Sequence, residues 1–313
     1  MLLTPPAALE KYDVPAHVLD VLRRSAVRHV SIIGRRGPLQ AAFTTKELRE
    51  LTTLDGASML PLAPELLVPT PPDAKLTRQQ TRLLQLLQKH QQRPRGASGA
   101  PKSWSLDFFR SPVALRLAPA SGPHRLALTL AHTALDASSR AIPTGTTSVQ
   151  HTDLVVAALG HRADPALAYY DPASGHLRTA RGGRVLDATG RALRHVYASG
   201  WAASGARGVL ASTMLDAYAV ADAILADSHT GDAGAGEWSD DALVADGAVD
   251  LESVPREVEE GVRARRVVQY DQWKKVDAEE VRRGAELGKE RERVGWEEAH
   301  GFLTSTGAWQ SRR

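Results

Sequence analysis

The chain contains no cysteine. That absence excludes a disulfide framework, a cysteine-ligated zinc site, an iron–sulfur cluster and a thiol nucleophile built from its own residues. Any redox chemistry must therefore come from a bound organic cofactor. A strong charge excess is also missing. The formal net charge is +3 over 313 residues, too small and too scattered to mark a nucleic-acid binder. No apolar run approaches the ~20 residues that span a bilayer. Met1-Leu2-Leu3-Thr4-Pro5-Pro6 has neither the basic start of a secretory signal nor the Arg/Ser-rich helix of a transit peptide. The 11 histidines show no metal-ligand spacing, and none pairs with Ser and Asp in a triad-like pattern. What remains is 42% hydrophobic and 24% charged, an ordinary globular composition long enough for about two domains.

Periodicity places helices at residues 15–25, 44–51, 76–91 and 210–225. Thr44-Thr45-Lys46-Glu47 has the spacing of a capping box, and Leu76, Leu83, Leu84 and Leu87 line one side of the third helix. Strands are expected at 27–33, 104–109, 125–131 and 196–201. The continuous apolar run 153–160 ends in glycine and reads as a buried parallel strand. Residues 92–103 form an Arg/Pro/Gly/Ser-rich loop, and 228–252 an acidic surface insertion or linker. From Val254 the chain is densely charged and mostly helical, and no internal repeat is visible.

Two places suggest chemistry. Gly34-Arg35-Arg36-Gly37 follows the strand at 27–33, where paired guanidinium groups can hold a dianion. In dinucleotide-binding sheets an arginine near the second strand's end accommodates the 2′-phosphate of NADP. The plainer reading is a surface turn with two solvated arginines. The second place is the strand–turn–helix around Gly200 to Leu225, where a glycine-preceded helix N-terminus offers free N–H groups. Such an end can face the pyrimidine edge of a flavin, with Trp201 as a flat wall; otherwise Trp201 is a core tryptophan at a strand end.

Weaker signals are set aside or left open. Gly96 to Ser103 resembles a phosphate loop, but Pro101 stands where the second glycine belongs. His161 reads as a turn residue. Arg78, Arg82, Lys89 and Arg93 form a basic helix face that is either simply solvated or suited to an acidic protein partner.

Taken together, these segments resemble the NADPH–adrenodoxin (mitochondrial ferredoxin) oxidoreductase family, including its fungal members. The matching stretches are Val30-Ser31-Ile32-Ile33-Gly34-Arg35-Arg36-Gly37-Pro38-Leu39-Gln40, Ala42-Phe43-Thr44 and Lys46-Glu47-Leu48-Arg49-Glu50. Phe108-Phe109-Arg110-Ser111-Pro112, Ile142-Pro143-Thr144-Gly145, Ser199-Gly200-Trp201, Trp273, Asp277-Ala278-Glu279-Glu280-Val281 and Gly284 follow in the family order.

The resemblance implies an α/β fold of two dinucleotide-binding (Rossmann-like) domains. Residues 1–158 would be the NADP-binding domain, and 159–313 the C-terminal part of the FAD-binding domain. It implies FAD and NADPH as cofactors and electron transfer from NADPH through FAD to a [2Fe–2S] ferredoxin of the adrenodoxin type. No side chain needs to act as nucleophile or general base. Arg35 and Arg36 would bind the 2′-phosphate, and Glu47 would also contact the nucleotide. Trp201, Gly208, Val209 and Leu210 would lie against the flavin. Arg49, Arg78 and Arg82 match basic positions that receive the acidic ferredoxin. The resemblance also implies a mitochondrial location, with peripheral association with the inner membrane.

The family's two glycine-rich pyrophosphate turns do not occur in this sequence. The expectation is an N-terminally truncated copy in which both nucleotide-binding domains lack their first glycine-rich βαβ portions. An alternative follows from that expectation, namely an inactive fragment that at most binds ferredoxin or NADPH.

Overall fold

The computed structural model describes residues 1–69, 75–91, 101–119, 122–206, 208, 210–230, 238–239 and 254–309. They form a mixed α/β structure of two packing units. Residues 1–155 and 255–313 make the first unit, and 156–254 make the second. The segment from 255 onward, grouped by sequence with residues 159–254, therefore packs with the first unit.

In the first unit, α1 (Pro6–Leu9) and α2 (Ala16–Arg23) precede β1 (His29–Gly34). Then come α3 (Thr45–Thr52), β2 (Ala57–Met59), α4 (Arg78–Gln91) and β3 (Lys102–Phe108). The three strands form a parallel sheet in the order β1-β3-β2, with His29 opposite Ser103 and Gly34 opposite Phe108. Alternation along β3 sends Trp104, Leu106 and Phe108 into the core, where they meet Leu48 of α3 and Leu83 and Leu87 of α4. Both helices start on side-chain caps. Thr44 Oγ1 accepts from the Glu47 N–H at 3.2 Å, and Glu47 accepts from the Thr44 N–H at 2.6 Å. Thr77 and Gln80 repeat the arrangement at 3.2 and 2.9 Å.

The chain continues as β4 (Arg110–Leu117), β5 (Leu126–Leu135) and β6 (Ala141–Thr152), an antiparallel sheet in that order. Its pairing slips between Ala131 and Thr133: Ala131 faces Thr147, but Thr133 faces Pro143. The apolar run at 153–160 is not the buried strand that its composition suggests. Leu154, Val156 and Leu159 are exposed at 55%, 68% and 84%, and the run forms no strand. A buried parallel strand needs neighbours on both edges, and among the described residues no strand pairs with this one.

The second unit is built from β7 (Tyr170–Asp171), β8 (His176–Leu177), β9 (Arg184–Leu186), β10 (Ala192–Tyr197), α5 (Trp201–Ser204) and α6 (Leu210–Thr230). Its core is small, centred on Val185, Leu193 and Ala198. The turn at Gly183 lies hard against α6: a Cβ there would stand 2.6 Å from Val220 Cγ2 and 2.5 Å from the Ala198 carbonyl oxygen. Glycine is required at that approach. Beside it, Asp227 accepts two hydrogen bonds from Arg184, at 2.7 and 2.6 Å, and one from the Tyr197 hydroxyl at 2.6 Å. The Arg184 guanidinium, and then Tyr197, hold the Asp227 carboxyl below its ordinary value. Burial, and then Asp227, push the Tyr197 hydroxyl up to about 12. Helix α6 is longer than periodicity suggested, and Val220, Ala223 and Asp227 are its buried side chains. The acidic stretch 228–252 lies mostly outside the described residues.

The last segment adds α7 (Arg256–Arg263), α8 (Tyr270–Glu286) and α9 (Trp296–Ser305) to the first unit. It joins the N-terminal residues through polar contacts. Helix α2 begins after Pro15, which has no side-chain acceptor, so the Ala16 N–H donates instead to Glu292 Oε1 at 2.8 Å. Lys289 Nζ donates to the Val14 carbonyl at 2.6 Å.

Candidate functional site

The strongest site lies at the carboxyl end of the parallel sheet, where such sheets bind ligands. β1 and β3 end level, at Gly34 and Phe108, so the loop Arg35–Gly37 meets the turn Phe109–Arg110. Arg35 and Arg36 are exposed, and neither guanidinium has a partner among the described residues. Their backbone is held. The Arg35 carbonyl accepts from the Thr133 hydroxyl at 2.8 Å, and the Arg36 carbonyl accepts from the Phe109 N–H at 3.4 Å. Gly37 is buried, and a Cβ there would stand 2.6 Å from Phe109 Cζ, so only glycine lets the ring sit there. Two neighbouring cations without a carboxylate partner form a site suited to an anion, and their planar forks match phosphate oxygens.

Glu47 belongs to the same unit, and its carboxylate is already engaged. It accepts from both the backbone and the hydroxyl of Thr44, at 2.6 and 3.0 Å, and those bonds hold it below the ordinary glutamate value. It is exposed and ionised, and it closes the N-terminus of α3.

Arg49 lies in the last turn of α3, while Arg78 and Arg82 lie in the first turns of α4. The two helices pack on each other. All three arginines are exposed, and none has a partner among the described residues. Gln80 of α4 donates to the Leu39 carbonyl at 3.0 Å, which ties this basic helix to the turn after Arg35–Arg36.

In the second unit, Gly200 adopts φ 61 and ψ −138 ahead of α5, and its N–H donates to Asp216 Oδ2 of α6 at 3.2 Å. That turn presents Trp201, which is 58% exposed and stacks on His161 with ring centroids 5.2 Å apart. Trp201 is therefore not a core residue, and His161 backs one of its faces. Gly208 has φ 98 and lies just before α6, whose first residue, Leu210, is 92% exposed. Val209 lies outside the described residues. The structure thus brings Arg35, Arg36 and Glu47 into the first unit, and Trp201, Gly208 and Leu210 into the second. Trp201 and Leu210 thus both offer exposed apolar surface, Leu210 as the first residue of a 21-residue helix. Among the described residues no group of His, Asp or Glu could hold a metal ion. No helix described is long and apolar enough to cross a membrane.

Comparison with known proteins bears on this pattern. Over 306 residues the chain is 35% identical to the human mitochondrial NADPH:adrenodoxin oxidoreductase, covering 94% of this chain and 58% of the relative. The chain is thus similar in sequence to NADPH:adrenodoxin oxidoreductases over nearly its whole length. The Arabidopsis thaliana protein of that name is 28% identical, over 95% of this chain and 62% of its own. Among solved structures, Mycobacterium tuberculosis FprA in complex with NADPH superposes with a TM-score of 0.71 at 27% identity. That match covers 96% of this chain and 62% of FprA. The chain spans 58% of the length of the human oxidoreductase that it matches. No family model matches it.

Sequence reasoning did not single out Thr133, Asp216 or the backbone of Phe109. Thr133 looks like any strand threonine, and its bond to Arg35 joins residues 98 positions apart. Asp216 reads as one more polar residue on a helix. Phe109 carries φ 56, which nothing in its identity signals.

Proposed function

We propose that this chain carries the NADPH-selecting and flavin-facing parts of a flavoprotein oxidoreductase that passes electrons from NADPH to a [2Fe–2S] ferredoxin of the adrenodoxin type. The observation that carries the proposal is the pair Arg35–Arg36, exposed and with guanidinium groups unpaired among the described residues, at the carboxyl end of β1 on a backbone bonded at both carbonyls. In this reading residues 1–158 are the NADP-binding part, residues 159–313 the C-terminal part of the FAD-binding domain, and both derive from dinucleotide-binding folds. The names of the relatives support a mitochondrial reductase.

A flavin bound at the second site would supply the conversion of a two-electron hydride donor into single electrons for an iron–sulfur acceptor. The chain's own groups would do the rest. Arg35 and Arg36 grip the 2′-phosphate and so set NADPH over NADH. Glu47 fixes the start of α3 and borders the nucleotide. Trp201, with Gly208, Val209 and Leu210, walls the flavin ring. The helix N-terminus there places a positive dipole end toward the ring edge that gains charge. Arg49, Arg78 and Arg82 form the acidic partner's landing surface, and their attraction weakens as salt rises.

Replacing Arg35 and Arg36 together by Ala is expected to weaken NADPH binding at least ~tenfold more than NADH binding, since each lost charged hydrogen bond contributes ~1.5–3 kcal/mol. Equal losses for the two nucleotides refute the assignment. The flavin part is tested separately, by the absorbance of the purified chain after incubation with excess FAD. Stoichiometric flavin supports the reductase. NADPH binding without any flavin reduces the chain to a nucleotide- or ferredoxin-binding role.

A further inference from the structure

We infer that Thr133 and Phe109 are positioning residues that preset the Arg35–Arg36 loop for a 2′-phosphate, an inference that rests on the nucleotide reading above. Thr133 is 8% exposed and binds both chain segments that meet at the sheet end. Its hydroxyl donates to the Arg35 carbonyl at 2.8 Å, and its N–H donates to the Phe109 carbonyl at 3.1 Å. Phe109 closes the circuit, its own N–H reaching the Arg36 carbonyl at 3.4 Å. Both arginine carbonyls are thus held, one from each side of the loop.

Two irregularities border this circuit. Between Ala131 and Thr133 the pairing with β6 slips, so that residues 144–146 stand against His132 alone, and bulges of this kind recur beside functional sites. Phe109 sits at φ 56, a backbone region that bulky side chains rarely occupy. That conformation seats its ring on Gly37, where any side chain would collide. Strain of this kind persists only where the surroundings enforce it, and it gathers at ligand clamps. Ordinary strand pairing needs neither feature. Their combined effect is to fix the two peptide planes from which the guanidinium groups spring, so that little ordering remains when the anion binds.

The test is calorimetric binding of adenosine 2′,5′-bisphosphate and, by competition, of 5′-AMP to the full chain. The variants are Thr133→Val, Thr133→Ser, Phe109→Leu and the double change R35A/R36A. Thr133→Val keeps shape and removes the hydroxyl, so it is expected to lose about fivefold in affinity for the bisphosphate, the worth of one hydrogen bond. AMP binding should stay unchanged. Thr133→Ser, which keeps the hydroxyl, should restore bisphosphate binding. Should Thr133→Val fail to fold, Phe109→Leu gives the same readout through the lost ring contact. An equal loss for both ligands, or no loss at all, overturns the inference. The double arginine variant separates the layers. If it keeps the preference for the bisphosphate, the nucleotide reading itself fails; if it alone loses the preference, only the positioning roles of Thr133 and Phe109 fail.

Discussion

In the first unit, Arg35 and Arg36 project from a loop bonded at both carbonyls and seated above a core that includes Trp104, Leu48 and Leu87, each at 1% exposure or less. In the second unit, Trp201 and Leu210 stand at the start of a long helix whose buried side chains are Val220, Ala223 and Asp227. The same helix leaves Leu210, Met214, Leu215, Tyr218, Ile224 and Leu225 more than 40% exposed. The first unit thus rests on apolar packing, and the second chiefly on a buried ion pair and glycine-permitted contacts. A unit built on packing should stay folded when a single polar bond is lost. A unit built on one buried pair should not.

The sharpest way to break this contrast is Asp227→Ala. It leaves Arg184 and the Tyr197 hydroxyl without their buried acceptor, and breaking such a pair typically costs about 3–5 kcal/mol. Hydrogen exchange should rise across α6 and β9–β10 and stay unchanged across β1 and β3; a uniform rise would show that the units share their stability. The reciprocal change is Leu87→Ala in α4, where a fully buried leucine is expected to cost about 2–5 kcal/mol. Its exchange effect should fall on the parallel sheet and spare α6. A smaller effect comes from Thr44→Ala, which removes the α3 cap at about 1 kcal/mol, measured by urea denaturation.

The smallest effect is a pH dependence. The backbone N–H of Thr44, followed by its hydroxyl, lowers the folded-state pKa of Glu47 below its unfolded value. Its contribution is therefore full above the ordinary glutamate range and is lost as pH falls through the lowered folded value. Glu47→Gln keeps a neutral acceptor, so the acid limb of its stability curve should be flatter than that of the unsubstituted chain. An identical acid limb would show that the capping carboxylate carries no pH dependence.

Much of the first unit was legible in the sequence because local rules and burial agree there. The capping box at Thr44–Glu47 forms as its spacing predicts, Leu83, Leu84 and Leu87 are buried together, and Leu128 and Leu130 alternate into the core. The strands β2, β4 and β6 went unread, since their residues are short in run or mostly exposed and carry little periodic signal. The run at 153–160 misled for the opposite reason: its apolar composition is strong, but composition cannot supply a pairing partner. At the candidate site the charged residues were visible as a motif. The groups that hold them were not, because Thr133 and Phe109 act through backbone geometry.

The bond between the Ala16 N–H and Glu292 spans 276 positions. On a ribosome the amide that opens α2 is made well before its acceptor, which emerges only after the whole second unit has been synthesised. Until then the Val14 carbonyl also lacks Lys289. The first unit is therefore begun early and sealed late, with the second unit emerging as an inserted loop. Domains generally fold as units in the order of synthesis. Here that order is interrupted, and the closing step falls to a segment translated after the second unit.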